Sequence, residues 1–395
     1  MRIALVTETY PPEINGVALT VARNVEYLRS RGHEVAVIRP RQGGEAPGEP
    51  QDAGDADHAQ EWLSSGFPIP MYPDLRFGLA LPGQLVRRFE RIVPQLVHVV
   101  TEGPLGWAAV AAAERLKLPV TSDFRTNFHQ YSRYYGLGWL APLIGGYLRR
   151  LHNRTARTFV PTRETRSALA ATRFERLELV GRGVDTARFS PAKRSENLRA
   201  SWGACDAPVL LHVGRLAPEK NIGLALAAWR RAKELMPGAR MVVVGHGPMR
   251  KRLEREFPEV MFVGIQTGEA LAAHYASADL FLFPSLSETF GNVTLEALAS
   301  GLPVVAFDAA AASEFVVNRL NGRLVKPGDD AAFIVAAGLL ASLHGELEPM
   351  RVAAREAAMR ADWPSVLARF EAQLLEVADA AEPPEAKAAC VAEVG

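Results

Sequence analysis

Two carboxylates, Glu288 and Glu296, stand eight residues apart where a loop passes into a helix. The run 280–284 is strand-like, the run 293–300 is compatible with a helix, and Gly301 occupies the position of a C-terminal cap. Ligands of an open α/β sheet bind outside the carboxyl ends of its strands, so we expect both acids to face a binding site at that edge. The alternative is a surface salt bridge for Glu296 and a solvated loop position for Glu288.

The backbone beside these acids offers a second kind of chemistry. Gly291, Asn292 and Val293 open the predicted helix, and amides at a helix N-terminus can hold an anion. The sequence therefore predicts two carboxylates next to an anion-binding turn.

Two cations follow another predicted strand. Arg215 and Lys220 are five residues apart on a loop that leads into a helix, so both side chains can turn toward one anion. Ordinary surface cations are the alternative. Gly16, before the predicted helix 17–31, offers a further amide for a phosphate, although a structural turn explains it equally well. That loop lacks G-x-G-x-x-G, and Arg39 ends the second strand where dinucleotide enzymes carry an acid.

The composition indicates a two-domain α/β protein. The 395 residues are 48% hydrophobic, enough for two ordinary cores. No segment approaches the roughly 20 apolar residues that span a membrane. Cys205 and Cys390 form neither a disulfide framework nor a metal cluster, which indicates a reducing cytoplasm.

The net charge of +1 conceals a basic region. Between Arg125 and Arg194, thirteen arginines and one lysine stand against four acids. Aromatic residues gather at its start: Phe128, Tyr131, Tyr134, Tyr135, Trp139 and Tyr147. A solvated helical face is one interpretation, and an interface for anionic lipid or an anionic acceptor is the other. Nucleic acid is a weaker third choice, because no recognised binding motif accompanies the charge.

Short apolar strands alternate with helical stretches in both halves, which is typical of parallel sheets covered on both faces. The predicted strands are 2–7, 34–39, 96–100, 119–124, 158–161 and 177–180 in the first half, and 209–213, 241–244, 261–263, 280–283, 303–307 and 323–325 in the second.

The domain boundaries are predicted from changes of composition. We expect a first domain over 1–190, a linker over 191–207, a second domain over 208–362, a helix over 363–377 and a disordered tail over 378–395. The stretch from Gln42 to Glu61 is rich in Gly, Pro and acids, which predicts a mobile surface loop.

Two motifs in these segments resemble a known family. The pattern E-T-F-G-N-V-x-L-E-A-L-A-S-G-x-P-V, which begins at Glu288, resembles the paired-glutamate signature of retaining family 4 glycosyltransferases. The pattern G-R-L-x-x-E-K-N around Arg215 and Lys220 is similar to the same family. The resemblance covers nearly the whole chain, apart from the loop 42–61 and the tail. It implies the GT-B fold, in which two Rossmann-like α/β domains with parallel sheets face one another across a cleft, and a terminal helix that starts near Trp363 and crosses back to the first domain.

The resemblance implies a role for each acid and cation. Glu288 would contact hydroxyls of the donor sugar, and Glu296 would hold the ribose of the nucleotide. Arg215 and Lys220 would bind the donor diphosphate, and the amide of Gly16 would approach it from the first domain. Two cations would then stabilise the leaving diphosphate without a metal or another cofactor.

Two further turns are similar to donor-binding segments of the family. Gly245 lies in a G-x-G-P turn that either contacts the donor or is simply tight. Ile265 lies in a loop whose backbone reads the base in the family. Backbone readout leaves little trace in side chains, so the base stays open.

One departure from the family concerns the catalytic centre. Arg125 stands where many members carry a histidine that contacts the donor sugar or the acceptor. His129 follows four residues later, and on a helix it would share that face. Either residue is an active-site candidate, and His129 could equally be a packing histidine. Asp123 is a neighbour of this centre or a helix cap, and Asp185 matches a structural stretch near the hinge.

The resemblance implies a hexosyltransferase that moves mannose or glucose, with retention, from a nucleotide diphosphate sugar to a hydroxyl of a lipid or glycolipid. We expect it in the cytoplasm, in peripheral contact with the inner face of an anionic membrane and without nucleic acid. A nucleotide-sugar epimerase on the same fold and a non-catalytic nucleotide-sugar-binding protein are the alternatives. The hexose, linkage, acceptor and oligomeric state stay open.

Overall fold

The computed structural model describes residues 1–13, 16–42, 61–69, 72–125, 141–204, 206–288 and 290–381. His129, the aromatic residues from Phe128 to Trp139 and most of the predicted mobile loop lie outside the described residues. The chain forms two compact units. The first comprises Met1–Val180 and the chain from Leu367 onward, and the second comprises Gly181–Val366.

The described part of the first unit is built on an eight-stranded sheet in the order β4-β3-β2-β1-β5-β6-β7-β8, parallel except for the antiparallel pair β3–β4. Its strands are β1 Arg2–Val6, β2 Glu34–Pro40, β3 Glu61–Ile69, β4 Tyr72–Leu79, β5 Leu96–Val99, β6 Val120–Asp123, β7 Arg157–Val160 and β8 Leu177–Leu179. Its helices are α1 Gly16–Ser30, α2 Pro82–Ile92, α3 Pro104–Arg115, α4 Ala141–His152 and α5 Arg163–Ala171. Helices cover the apolar strands, so β1 is buried at every position after Arg2.

The second unit contains, within its described residues, a six-stranded sheet in the order β11-β10-β9-β12-β13-β14, with every pairing parallel. Its strands are β9 Val209–Val213, β10 Arg240–Val244, β11 Met261–Gly264, β12 Leu280–Phe283, β13 Val304–Phe307 and β14 Gly322–Val325. Its helices are α6 Glu196–Ser201, α7 Ile222–Leu235, α8 Arg250–Glu256, α9 Gly268–Ser277, α10 Asn292–Ala299, α11 Ala310–Phe315, α12 Asp330–Ser342 and α13 Glu348–Met359, with 3₁₀ turns at Pro191–Lys193, Pro218–Lys220 and His344–Glu346. This doubly wound order reverses between β9 and β12, where such sheets bind ligands.

Two predicted boundaries differ from the observed ones. The first unit gives way to the second after Val180 rather than after residue 190. The predicted linker 191–207 holds a 3₁₀ turn and α6, and it belongs to the second unit. Arg199 on α6 is buried and donates a hydrogen bond to Asp279 at 2.8 Å. A charged residue of the predicted linker therefore forms a buried ion pair.

The last helix, α14 Trp363–Ala381, begins at the predicted Trp363 and has residues in both units. From Leu367 onward it belongs to the first unit, where Phe370, Leu374 and Val377 join a core with Ile3 and Leu5. The helix runs four residues past its predicted end at 377, because Val377 and Ala378 are still buried. Among the described helices, none has the length and apolar character needed to cross a membrane.

Candidate active site

Two loops meet at the carboxyl edge of the second sheet, at the β9–β12 switch point. The loop after β9 carries Arg215 and the turn Pro218–Lys220, and the loop after β12 leads to Glu288. The Leu286 amide donates to the carbonyl of Glu219 at 2.9 Å, which joins the two loops. The chain reversal at this edge therefore places the predicted cation Lys220 beside the predicted carboxylate Glu288.

Lys220 and Glu288 form an ion pair although 68 residues separate them in sequence. Ser285 Oγ donates to the same carboxylate oxygen, Oε1, at 2.8 Å. The side chains of Lys220 and Glu288 are 18% and 16% exposed, so solvent reaches both. A ligand that carries an anion and a hydroxyl could engage the two groups together.

His212 on β9 lies beneath this pair and is fully buried. Its Nδ1 lies 3.0 Å from the carbonyl oxygen of Leu282. Burial, reinforced by the nearby charge of Lys220, lowers the pKa of His212 to about 4. The imidazole is therefore neutral at physiological pH and leaves the positive charge of the site to Lys220 and Arg215.

Arg215 is exposed at the same edge. Its guanidinium makes no hydrogen bond or ion pair with the described part of the chain. An arginine in this state can present its planar fork to a phosphate without breaking an existing contact.

Glu296 lies in the second turn of α10 and is held from a neighbouring helix. Tyr275 on α9 is fully buried, and its hydroxyl donates to Glu296 Oε2 at 2.9 Å. Burial and the adjacent carboxylate raise the pKa of Tyr275 well above its ordinary value, so this phenol keeps its proton. Tyr275 was not identified from the sequence, because a tyrosine in an apolar helix gives no indication of a partner that is distant in sequence.

The turn into α10 requires a left-handed residue. Gly291 has φ 86°, while a Cβ there would lie 3.5 Å from the nearest atom, so conformation rather than space demands glycine. Asn292 begins the helix, and its side-chain oxygen is buried with no hydrogen-bond partner among the described residues. Val293 follows, half-buried. The predicted anion-binding amides thus lie three to five residues beyond Glu288.

Gly245 has a structural explanation at the end of β10. Its φ is 134°, and a Cβ there would lie 1.9 Å from the carbonyl oxygen of Gly214. Its amide donates to the carbonyl of Gly264 at 2.8 Å. Ile265 follows, 70% exposed. This packing requires glycine whether or not the turn also contacts a ligand.

Arg125 lies at the carboxyl end of β6 in the first unit. Its Nε donates to Asp123 Oδ2 at 2.5 Å, and His98 Nε2 lies 3.3 Å from the same oxygen. Burial would raise the pKa of Asp123, but the charges and hydrogen bonds of Arg125 and His98 lower it to about 2. Asp123 is therefore a permanent counterion of Arg125.

Gly16 is the first residue of α1 and is exposed. Its predicted contact with a diphosphate remains a prediction. The same loop carries Glu8, which accepts a hydrogen bond from the Leu105 amide at 3.0 Å. Burial raises the pKa of Glu8 to about 7.

Known proteins resemble the chain over most of its length. Residues 14–188 match the family described as "Glycosyltransferase Family 4", and residues 207–342 match "Glycosyl transferases group 1". The chain is 35% identical to a GDP-mannose-dependent alpha-mannosyltransferase of Mycolicibacterium smegmatis, over 93% of this chain and 95% of that protein. It is 28% identical to an alpha-monoglucosyldiacylglycerol synthase of Streptococcus pneumoniae, over 87% of this chain and 79% of that protein.

Solved structures share the fold. The Anabaena protein HepE in complex with UDP superposes with a TM-score of 0.74 at 19% identity, covering 95% of this chain and all 100% of that one. Sucrose-phosphate synthase of Thermosynechococcus elongatus superposes with a TM-score of 0.73 at 20% identity, covering 96% and 100%. The two units are α/β domains of the GT-B type, as predicted, and their sheets are parallel apart from the edge pair β3–β4. The chain therefore belongs to the family 4 glycosyltransferases and is a glycosyltransferase.

Proposed function

We propose that the protein transfers mannose from GDP-mannose to a hydroxyl group of a lipid or glycolipid, with retention of anomeric configuration. The choice of donor is supported by similarity to GDP-mannose-dependent mannosyltransferases. The choice of acceptor is supported by relatives that act as monoglucosyldiacylglycerol synthases or as a phosphatidylinositol monomannoside mannosyltransferase.

The observation that carries the proposal is the ion pair of Lys220 and Glu288 at the β9–β12 switch point. When the donor binds, the ammonium group turns to the β-phosphate, and the carboxylate accepts hydrogen bonds from hydroxyls of the hexose. Arg215 adds a second positive charge at the diphosphate. Both cations stabilise the negative charge that develops as the glycosidic bond breaks, which is the task of a metal ion in other transferases.

The ribose and the phosphates of the donor then have partners as well. Glu296, which is held by Tyr275, accepts hydrogen bonds from the ribose hydroxyls. The backbone amides of the first turn of α10 approach the phosphates. The acceptor oxygen forms its bond to the anomeric carbon on the face from which GDP departs. The hydroxyl proton passes to the departing phosphate oxygen.

The basic region supports a peripheral contact with anionic lipid. Arg149 and Arg150 on α4 and Arg163 and Arg166 on α5 are exposed, and so is the apolar Leu143. Basic side chains near an anionic surface contribute about 1 kcal/mol each. Vesicles with phosphatidylglycerol should bind the protein at low salt, and phosphatidylcholine vesicles should not.

The decisive experiment mixes the purified protein with GDP-mannose, UDP-glucose or GDP-glucose, with and without membrane lipid extract. Lipid-dependent release of GDP and a mannosylated lipid support the proposal. Epimerised donor without nucleotide release would establish an epimerase, and binding without either reaction would establish a non-catalytic binding protein.

Site variants make the test specific. Lys220→Ala and Glu288→Ala should each abolish nearly all turnover while the protein remains folded. Lys233 and Glu259 form a similar ion pair on the surface of the same unit, so Lys233→Ala and Glu259→Ala are matched controls. Wild-type turnover in the Lys220 or Glu288 variant would remove that residue from the site.

A further inference from the structure

Glu102 is a buried carboxylate of the first unit. It lies between β5 and α3 at the carboxyl edge of the first sheet, where the strand order reverses between β1 and β5. Its side chain is 3% exposed, and Oε1 has no hydrogen-bond partner in the described part of the chain. Buried polar groups are normally paired, because an unpaired one keeps the full cost of desolvation.

His152, the last residue of α4, faces this carboxylate and is fully buried. Its Nδ1 lies 2.9 Å from Ser122 Oγ, and that hydroxyl also lies 3.0 Å from Thr155 Oγ1. The ring is thereby fixed. Its Nε2 has no hydrogen-bond partner among the described residues and lies 3.8 Å from Glu102 Oε1, too far for a hydrogen bond.

The spacing of these two atoms suits one oxygen atom between them. An oxygen placed about 2.8 Å from both would make two normal hydrogen bonds. It would donate to Glu102 and accept from the Nε2–H tautomer of His152. A hydroxyl group does both, whereas a phosphate or carboxylate oxygen would be repelled by the Glu102 carboxylate and has no proton to donate to it.

An aromatic surface lies next to the pair. Tyr147 donates to the backbone oxygen of Glu102 at 2.8 Å, and its ring stacks on Trp107 at 5.0 Å. The tyrosine is 39% exposed. A half-exposed aromatic ring beside a hydroxyl-binding carboxylate matches a sugar ring, which has apolar C–H faces and polar edges.

We propose that Glu102 and His152 bind a hydroxyl group of a sugar or polyol headgroup on the acceptor, with Tyr147 beside the ring. This inference rests on the proposed transfer to a lipid acceptor and names the headgroup that the first unit recognises. Tyr147 was named from the sequence only as part of an aromatic cluster, whereas Glu102 and His152, which are fifty residues apart and belong to no motif, were missed.

Kinetics provide the first test. The probe is monoglucosyl diacylglycerol in phosphatidylglycerol vesicles, with GDP-mannose as donor. Glu102→Gln should raise the acceptor KM by roughly tenfold, the effect of a lost hydrogen bond to a charged group, and leave the donor KM unchanged. His152→Asn should act likewise. Glu114 in the same unit is paired with Arg154 on the surface, so Glu114→Gln is the matched control.

Binding provides a test that needs no turnover. Methyl α-glucoside should shift the imidazole NMR signals of His152, identified by their absence in His152→Asn, and Glu102→Gln should abolish the shift. An unchanged acceptor KM in a folded Glu102→Gln variant, or unshifted wild-type signals, would overturn the inference and leave an ordered water between the two groups. Should Glu102→Gln not fold, the wild-type titration decides. If the wild type transfers mannose to no lipid, the proposed function fails, while a shift with the glucoside would still establish the subsite.

Discussion

Replacing Tyr275 by phenylalanine isolates the support that one buried hydroxyl gives to Glu296. The substitution keeps the ring, which packs edge-on against Phe189 and tilted against Phe281, and removes only the donor at 2.9 Å from the carboxylate. A hydrogen bond to a charged group contributes about 1.5–3 kcal/mol. If the lower end of that range is lost from ribose binding, affinity for the donor falls roughly tenfold.

The assay compares ribonucleotides with 2′-deoxyribonucleotides. Tyr275→Phe should raise the KM for GDP-mannose by roughly tenfold, the lower end of that range, with little change in kcat. Affinity for GDP should fall similarly, while the weaker affinity for 2′-deoxy-GDP should stay the same. The substitution should have no further effect in a Glu296→Gln background, because the two residues act as a unit.

Tyr27→Phe is the matched control, since Tyr27 donates to Glu371 at 3.0 Å in the first unit. It should change stability but not nucleotide affinity. Equal losses for GDP and 2′-deoxy-GDP in Tyr275→Phe would show that the tyrosine only supports packing, and no loss for either would separate Glu296 from the ribose.

Three further predictions concern stability and local structure. The Glu8 pKa is raised from 4.5 to about 7, so the free energy of unfolding of the wild type should fall as pH rises through that window. Above neutral pH, Glu8→Gln should be more stable than the wild type by up to about 3 kcal/mol in denaturant titrations. A stability gain independent of pH would contradict the burial argument. The Asp123 pKa is lowered from 3.8 to about 2, so Asp123→Asn should cost about 2 kcal/mol at neutral pH, with the difference disappearing as pH falls through that range. A cost that persists in acid would point to packing instead. Gly245→Ala should lower the melting temperature without any ligand, because the new Cβ meets the Gly214 carbonyl; an unchanged melting temperature with lost nucleotide binding would assign the glycine to the ligand instead.

The central strands were predictable because buried parallel strands read as short apolar runs, and β9 and β12 have the predicted bounds. Strands β3 and β4 were missed, since they form an edge pair with interior Gly and Pro residues, which such edges tolerate.

The candidate site was predictable only where a motif marks it. Lys220 and Glu288 were both predicted as site residues, but their ion pair depends on the strand order, which no local pattern encodes. Tyr275 and His152 lie in buried surroundings, and only tertiary structure reveals what their polar atoms face.

Helix α14 delays completion of the first unit until the second unit has been made. Its residues Phe370, Leu374 and Val377 belong to the core around Ile3 and Leu5, yet the ribosome makes them only after the whole second unit. At about 5–20 residues per second, the apolar face that receives them stays uncovered for on the order of ten seconds or more. The nascent first unit is therefore a natural client for a holding chaperone. A first unit expressed without the second would lack this helix. To be stable it would need the helix restored, either fused to it by circular permutation or added as a separate peptide.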